Sequence, residues 1–128
     1  MAGASALSRT GAPGLGIDLC EIARIERALE RYPRLRGRLF TRAELSYADR
    51  RRRPGRHLAA RFAAKEATIK ALGIRLPPGE VEVVGASGAP PVLRLRGEAA
   101  RVAADAGFEL SLSLTHTDRT AAAVVAAL

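Results

Sequence analysis

Between Arg56 and Leu72 the chain has neither proline nor glycine; Pro54-Gly55 stands before this stretch and Gly73 directly after it. Glycine suits the left-handed turn that closes a helix, so one long helix is expected here. Leu58, Phe62, Ile69 and Leu72 recur along it at helical spacing and mark an apolar stripe. At about 100° per residue, Lys65 falls in the middle of that stripe and Glu66 at its edge. A charge on the core-facing side of a helix demands a partner, because unpaired buried charge is expensive. The alanines around the pair leave room for another segment or a ligand to come close. Glu66 and Lys70 are also four apart in the favoured orientation, which is equally the pattern of an ordinary helix salt bridge.

The flanking segments read as a mixture of strands and helices. Leu15, Ile17 and Leu19 alternate with Gly16 and Asp18, a short strand with its apolar residues on one face and Asp18 on the other. From Glu21 to Arg31, Ile22, Ile25 and Leu29 take helical spacing, Arg24, Arg27 and Arg31 form a basic stripe on another side, and Pro33 ends the helix. Thr41-Arg-Ala-Glu44 has the form of a capping box and opens a helix that runs to Arg50-Arg51-Arg52-Arg53. Val81 to Val84 and Val92 to Leu95 read as strands on either side of turn residues Ser87 to Pro91. An alanine-rich helix follows over Glu98 to Asp105 and stops at Gly107. Leu110, Leu112 and Leu114 then alternate with Ser111, Ser113 and Thr115, as a half-buried strand does. Ala121 to Leu128 is rich in alanine, which favours helix, but pairing with the preceding strand across Thr117-Asp118-Arg119 favours a hairpin; strand is the expectation. This order of elements predicts an α+β domain.

A chain of 128 residues has the length of one domain, expected over 14–128 behind a flexible leader at 1–13. Aromatic residues make up 4 %, so the core must be built from aliphatic side chains. Cys20 is the one cysteine, which excludes an internal disulfide framework and a thiolate zinc cluster. No apolar run resembles a signal peptide or a membrane span, so a cytoplasmic protein without a membrane partner is expected. The net charge of +8 calls for an anionic partner. One candidate is nucleic acid, suggested by the arginine run. The scarcity of stacking aromatics and the absence of a binding motif count against it, and it leaves Lys65-Glu66 unexplained.

Asp18, just before a helix, is most often a cap or a solvated carboxylate. A lone His116 at a strand end is most often structural. Taken together with Glu66, Lys65 and Lys70 in a basic chain, they suit phosphate chemistry. Magnesium is typically held by one or two carboxylates plus the substrate's own phosphates. There is no Walker-type loop and no glycine-rich dinucleotide fingerprint.

In their order and spacing these residues resemble the holo-acyl-carrier-protein synthases among the 4′-phosphopantetheinyl transferases. The resemblance rests on Gly16-Ile17-Asp18, on Arg42-Ala43-Glu44-Leu45, on Arg61-Phe-Ala-Ala-Lys-Glu-Ala67 with Lys70, and on Ser113-Leu-Thr-His-Thr117. It implies a small antiparallel sheet packed on a long central helix, and transfer of 4′-phosphopantetheine from coenzyme A to a serine of an acyl carrier protein. It also implies Asp18 and Glu66 as magnesium ligands and Lys70 as the cation that stabilises phosphate charge. Lys65, Ser113 and His116 would line the same cleft, and an arginine of the run, Arg53 among them, would hold a coenzyme A phosphate. The serine proton would go to Glu66, to a metal-bound water or to His116. Arg24, with Arg27 and Arg31, would dock the acidic carrier, and a homotrimer with sites between subunits is implied. The family's Asn-Gly-Lys-Pro-like turn is here Ser87-Gly88-Ala89-Pro90 and lacks the lysine.

Overall fold

The computed structural model describes residues 14–85 and 89–128. The leader expected over 1–13 and the Ser87-Gly88 part of the turn lie outside the described residues. The long helix is α4, Pro54–Leu72, with proline in its first turn and Gly73 closing it at φ 76°, the Gly73 N–H donating to Ile69 O. Three shorter helices precede it, α1 (Ile22–Arg31), α2 (Leu35–Leu39) and α3 (Arg42–Asp49), and α5 (Gly97–Ala106) follows. Strands β1 (Gly14–Glu21), β4 (Leu110–His116) and β5 (Thr120–Ala127) form an antiparallel sheet in the order β1-β5-β4. Strands β2 (Val81–Val84) and β3 (Val92–Leu95) form a separate antiparallel pair. The expected α+β architecture, with a small antiparallel sheet on a central helix, is present. Helix α4 packs against β1, β5, β4, β2, α1 and α3.

The alanine-rich C-terminal segment is a strand, as expected. It is the middle strand of its sheet and pairs along Thr120–Ala127 with β1 and over most of that length with β4. Helix propensities of a few tenths of a kcal/mol per residue do not compete with two ladders of backbone hydrogen bonds. Helix α2 was not expected; Gly37 at its centre breaks the sequence pattern.

In β1 the alternation is right but its sense is reversed. Leu15, Ile17 and Leu19 are exposed, while Gly14, Gly16 and Cys20 are buried against α4, and Asp18 shares their face. The reason is distance. A Cβ on Gly16 would collide with the carbonyl oxygen of Ala67, and one on Gly14 with that of Ala71. Two residues along a strand advance about 6.6 Å and four along a helix about 6 Å. The glycines of β1 therefore keep step with alanines one helical turn apart, as the two backbones run past each other. Large side chains cannot occupy that contact, so β1 turns its large apolar residues outward.

Substituting Gly16→Ala forces these backbones apart. Overpacking at such a contact is expected to destabilise the chain by about 3 kcal/mol. Gly37, in α2, has open space where its Cβ would stand. Gly37→Ala is expected to be neutral or stabilising by up to about 1 kcal/mol. Urea unfolding of the two variants beside the parent checks both values.

Candidate active site

A cleft of about 750 Å³ opens where β1 runs into α1 alongside α4, and Asp18, Glu21, Arg24 and Glu66 line it. Its apolar wall includes Phe62, Leu35 and Leu39. The step of β1 against α4 puts Asp18 on the helix-facing side next after Gly16, within reach of Lys70. The Lys70 ammonium lies 3.0 Å from Asp18 Oδ1 and also donates to the carbonyl of Ile17 at 3.0 Å. Ile17 sits on an edge strand of the sheet, where no strand among the described residues competes for that carbonyl. The Asp18 side chain is mostly covered and Lys70 is largely exposed. An exposed ion pair of this kind is weak and readily exchanged for another partner.

The donors in this cleft suit a magnesium ion. Asp18 and Glu66 offer hard carboxylate oxygens with no histidine between them, and magnesium accepts one or two carboxylates when substrate oxygens and waters complete its octahedron. Among the described residues no cluster of three or more histidine, cysteine or acidic side chains forms a closed protein cage. Cys20 also faces this cleft, but its thiol donates to Glu21 O, and burial followed by the nearby Asp18 charge pushes its pKa up to about 11.

Lys65 is not in this cleft. Its ammonium is buried and ion-paired with Glu44 at 2.8 Å, and it donates to Pro78 O and Val81 O. Burial draws its pKa down, and the Glu44 carboxylate works against that shift. Glu44 also completes the expected capping box, accepting from Thr41 N at 2.8 Å while its own N–H donates to Thr41 Oγ1. The position of Lys65 in the apolar stripe therefore reflects a partner within the fold.

His116 and Ser113 lie elsewhere too. His116 is separated from β1 by β5, and it lines a smaller groove of about 190 Å³ with His57, Tyr47 and Arg61. Ser113 is on the outer face of the sheet, level with Val124 and Ile17. Beside the groove, the guanidinium carbons of Arg51 and Arg61 lie 3.3 and 4.0 Å from the centre of the Tyr47 ring. Arg61 is buried, its Nε has no hydrogen-bond partner among the described residues, and burial lowers its pKa. Burial and then Arg61 push the His57 pKa below its usual value. An adjoining pocket of about 370 Å³ gathers Arg50, Arg51, Arg61 and Arg94. Arg53 is turned away from this group, donating to Asp118 O and lying 3.6 Å from Glu26. Of the basic stripe on α1, Arg24 reaches the cleft, Arg31 lies over Tyr32, and Arg27 is exposed.

Sequence reasoning passed over Arg61 and Tyr47. The signal was present: Leu58, Arg61, Lys65, Thr68 and Leu72 follow three- and four-residue steps, and all are buried. Polar side chains on such a stripe must each find a partner.

A sequence profile of the 4′-phosphopantetheinyl transferase superfamily matches residues 14–125. The holo-acyl-carrier-protein synthase of Moorella thermoacetica is 47 % identical over 113 residues, 85 % of this chain and 88 % of the relative. That of Streptomyces coelicolor is 46 % identical over 119 residues, 89 % of this chain and 95 % of the relative. The chain belongs to the holo-acyl-carrier-protein synthases. Among solved members of this group, the Chronobacterium ammoniagenes complex with coenzyme A superposes with a TM-score of 0.78 at 30 % identity, covering 91 % of this chain and 96 % of the other. The Mycobacterium tuberculosis acyl carrier protein synthase gives 0.74 at 36 % identity, covering 90 % and 96 %. No helix among the described residues is long and apolar enough to cross a membrane.

In this synthase Cys20 is expected to resist alkylation despite facing the cleft. With a pKa near 11, about one thiol in a thousand is ionised at pH 8, and the thiolate is the reacting form. Iodoacetamide labelling followed by mass should be slow on native protein at pH 8 and fast in guanidinium. Rapid labelling of the native protein would contradict this placement of Cys20.

Proposed function

We propose that this chain, one domain over 14–128, transfers the 4′-phosphopantetheine of coenzyme A to a serine of an apo acyl carrier protein and releases adenosine 3′,5′-bisphosphate. The observation that carries this reading is the convergence of Asp18, Glu66 and Lys70 where β1 packs on α4. The named activity of the relatives and the coenzyme A bound in one of the solved structures support it.

In the reaction the serine oxygen forms a bond to the β-phosphorus of coenzyme A and the bond from that phosphorus to the bridging oxygen breaks. Asp18 and Glu66 would hold a magnesium ion, which supplies positive charge to the pyrophosphate when bound. Lys70, exposed and joined to Asp18 by a weak pair, is free to swing onto phosphate oxygens as charge builds on the leaving group. The serine proton passes to a base at the cleft. Glu66 stands there within one chain, whereas His116, lining another groove, would reach it from a second copy. The arginines gathered beside Tyr47 suit the phosphate of the nucleotide end. Arg53 would join them only after leaving Glu26 and Asp118.

A homotrimer with sites between subunits is part of this reading. Leu15, Ile17 and Leu19 are 69, 58 and 68 % exposed on one sheet face, and Val124 joins them. An apolar face of this kind is normally covered by a partner. Ser113 lies on that face, and the groove of His116 is distinct from the cleft of Asp18, so association of copies is what would unite the two. The carrier protein, being acidic, would meet the basic side of α1 at Arg24, Arg27 and Arg31. Coenzyme A and carrier proteins are cytoplasmic, and that location is proposed with the activity.

Incubating the synthase with an apo carrier, coenzyme A and magnesium should add one phosphopantetheine to the carrier, read by intact mass. Chelation, or Glu66→Gln, should abolish the gain. No gain with any of several carriers, from folded protein, overturns the reading. Ile17→Glu places a charge at the centre of the apolar face. It should convert the assembly to monomer by light scattering and lower transfer by more than about 100-fold, since the site would lose half its groups. A monomeric parent protein would dismiss the shared site.

A further inference from the structure

The Lys65 ammonium has three N–H donors, and each has a partner inside the protein: Glu44 at 2.8 Å, Pro78 O at 3.0 Å and Val81 O at 2.5 Å. Glu44 is equally committed. Its Oε1 accepts from Thr41 N and its Oε2 from Val83 N, each at 2.8 Å. Both side chains are at most 1 % exposed. Lys65 has no donor left for a substrate, and Glu44 is too deeply buried to meet one. Thr41 continues the network, donating to the buried Glu82, which Arg96 meets at 3.1 Å.

This network has a geometric consequence for the cleft. On the β1 side, α4 touches glycines through alanines, a contact that fixes separation, and the side-chain bonds that cross it there are those of the largely exposed Lys70 to Ile17 O and Asp18. An exposed lysine tip constrains rotation of α4 weakly, whereas buried bonds on another side constrain it firmly. Lys65 bonds α4 to the start of α3, to the turn at Pro78 and to β2 at Val81, and Glu66 is the next residue along the helix.

We propose that Lys65, held by Glu44, is a positioning residue that sets the roll of α4 and so aims Glu66 and Lys70 at Asp18. A roll of about 10° displaces a side-chain tip, about 6 Å from the helix axis, by about 1 Å. A displacement of that size in a reacting group costs up to about 100-fold in rate. The proposal rests on the transfer reading of the cleft. It assigns Lys65 no contact with coenzyme A.

The test uses Lys65→Met combined with Glu44→Gln, so that no unpaired charge is left buried. Circular dichroism and thermal melting establish the folded fraction. If the double variant does not fold, Glu44→Asp, which shortens the same clamp and keeps both charges, takes its place with the same expectations. For folded protein, kcat should fall by about 10- to 100-fold with KM for coenzyme A unchanged. Binding of manganese alone, followed by electron paramagnetic resonance, should weaken because Glu66 no longer faces Asp18. Unchanged kcat and manganese binding per folded molecule would overturn the proposal in favour of a purely structural clamp. A raised KM for coenzyme A at unchanged kcat would overturn it in favour of direct substrate contact. Inactivity of the parent protein would fail the transfer reading itself, and the manganese measurement would still decide whether Lys65 positions Glu66.

Discussion

The near-contact of two backbones, β1 against α4, is the constraint on which the rest of this chain depends. Gly14 and Gly16 meet the carbonyls of Ala71 and Ala67 with no room for a side chain between them. Because a strand and a helix advance by almost matching amounts over two and four residues, the contact carries on in register instead of ending after one turn. It delivers Asp18 beside Lys70 in the cleft that Glu66 lines. It also leaves nowhere inside for Leu15, Ile17 and Leu19, which stand on the outer face of the sheet. One steric condition thus accounts both for the placement of the carboxylates and for an apolar surface that a single chain leaves uncovered.

A helix surrounded on most sides by other elements normally requires apolar residues all round. Here α4 buries Arg61, Lys65 and Thr68 as well as alanines and leucines. Each polar group is handled differently. Thr68 returns its hydroxyl to Ala64 O within the helix, Lys65 takes a carboxylate and two carbonyls, and Arg61 lies over Tyr47. The first two are satisfied by the fold. Arg61 keeps an Nε with no partner among the described residues and faces a pocket with three more arginines. Four arginines against the one carboxylate of Glu82 leave this pocket net positive, which links the net charge of the chain to a particular place on it.

Much of the fold was legible because its signals are local. The capping box at Thr41 and Glu44, the glycine caps at Gly73 and Gly107, and the alternation of Leu110, Leu112 and Leu114 each act within a few residues, and the structure has all of them. What escaped was set by distant partners. The orientation of β1 was read from hydrophobicity, yet the alanines of α4 decide which face fits. Lys65 needs a partner by its place in the stripe, but its spacing cannot tell a ligand from another segment, because the carboxylate lies in another helix, at Glu44. For Asp18, Glu66 and Lys70 the spacing in sequence and the place in space agree, since all depend on one strand-helix contact. For Ser113 and His116 they do not agree within one chain, because the sheet places β5 between them and β1.

That division explains how a strongly basic chain can carry an acidic cleft. Asp18, Glu21 and Glu66 share one opening, while Arg50, Arg51, Arg61 and Arg94 gather at another. The two openings differ in balance, for Arg24 alone stands among the carboxylates lining the first and Glu82 alone among the arginines lining the second, and Asp18 is paired with the exposed Lys70. Coenzyme A carries a pyrophosphate and a separate 3′-phosphate on one ribose. Under the proposed transfer it would use both systems at once, the carboxylate cleft with its cation for the reacting pyrophosphate and the guanidinium-lined pocket for the 3′-phosphate. On the reading proposed here, assembly of copies through the apolar face would bring the carboxylates of one to the basic groove of the next. Association would then create the site as well as cover Leu15, Ile17 and Leu19, and the outward turn of β1 that the glycines impose would be the step that couples the two.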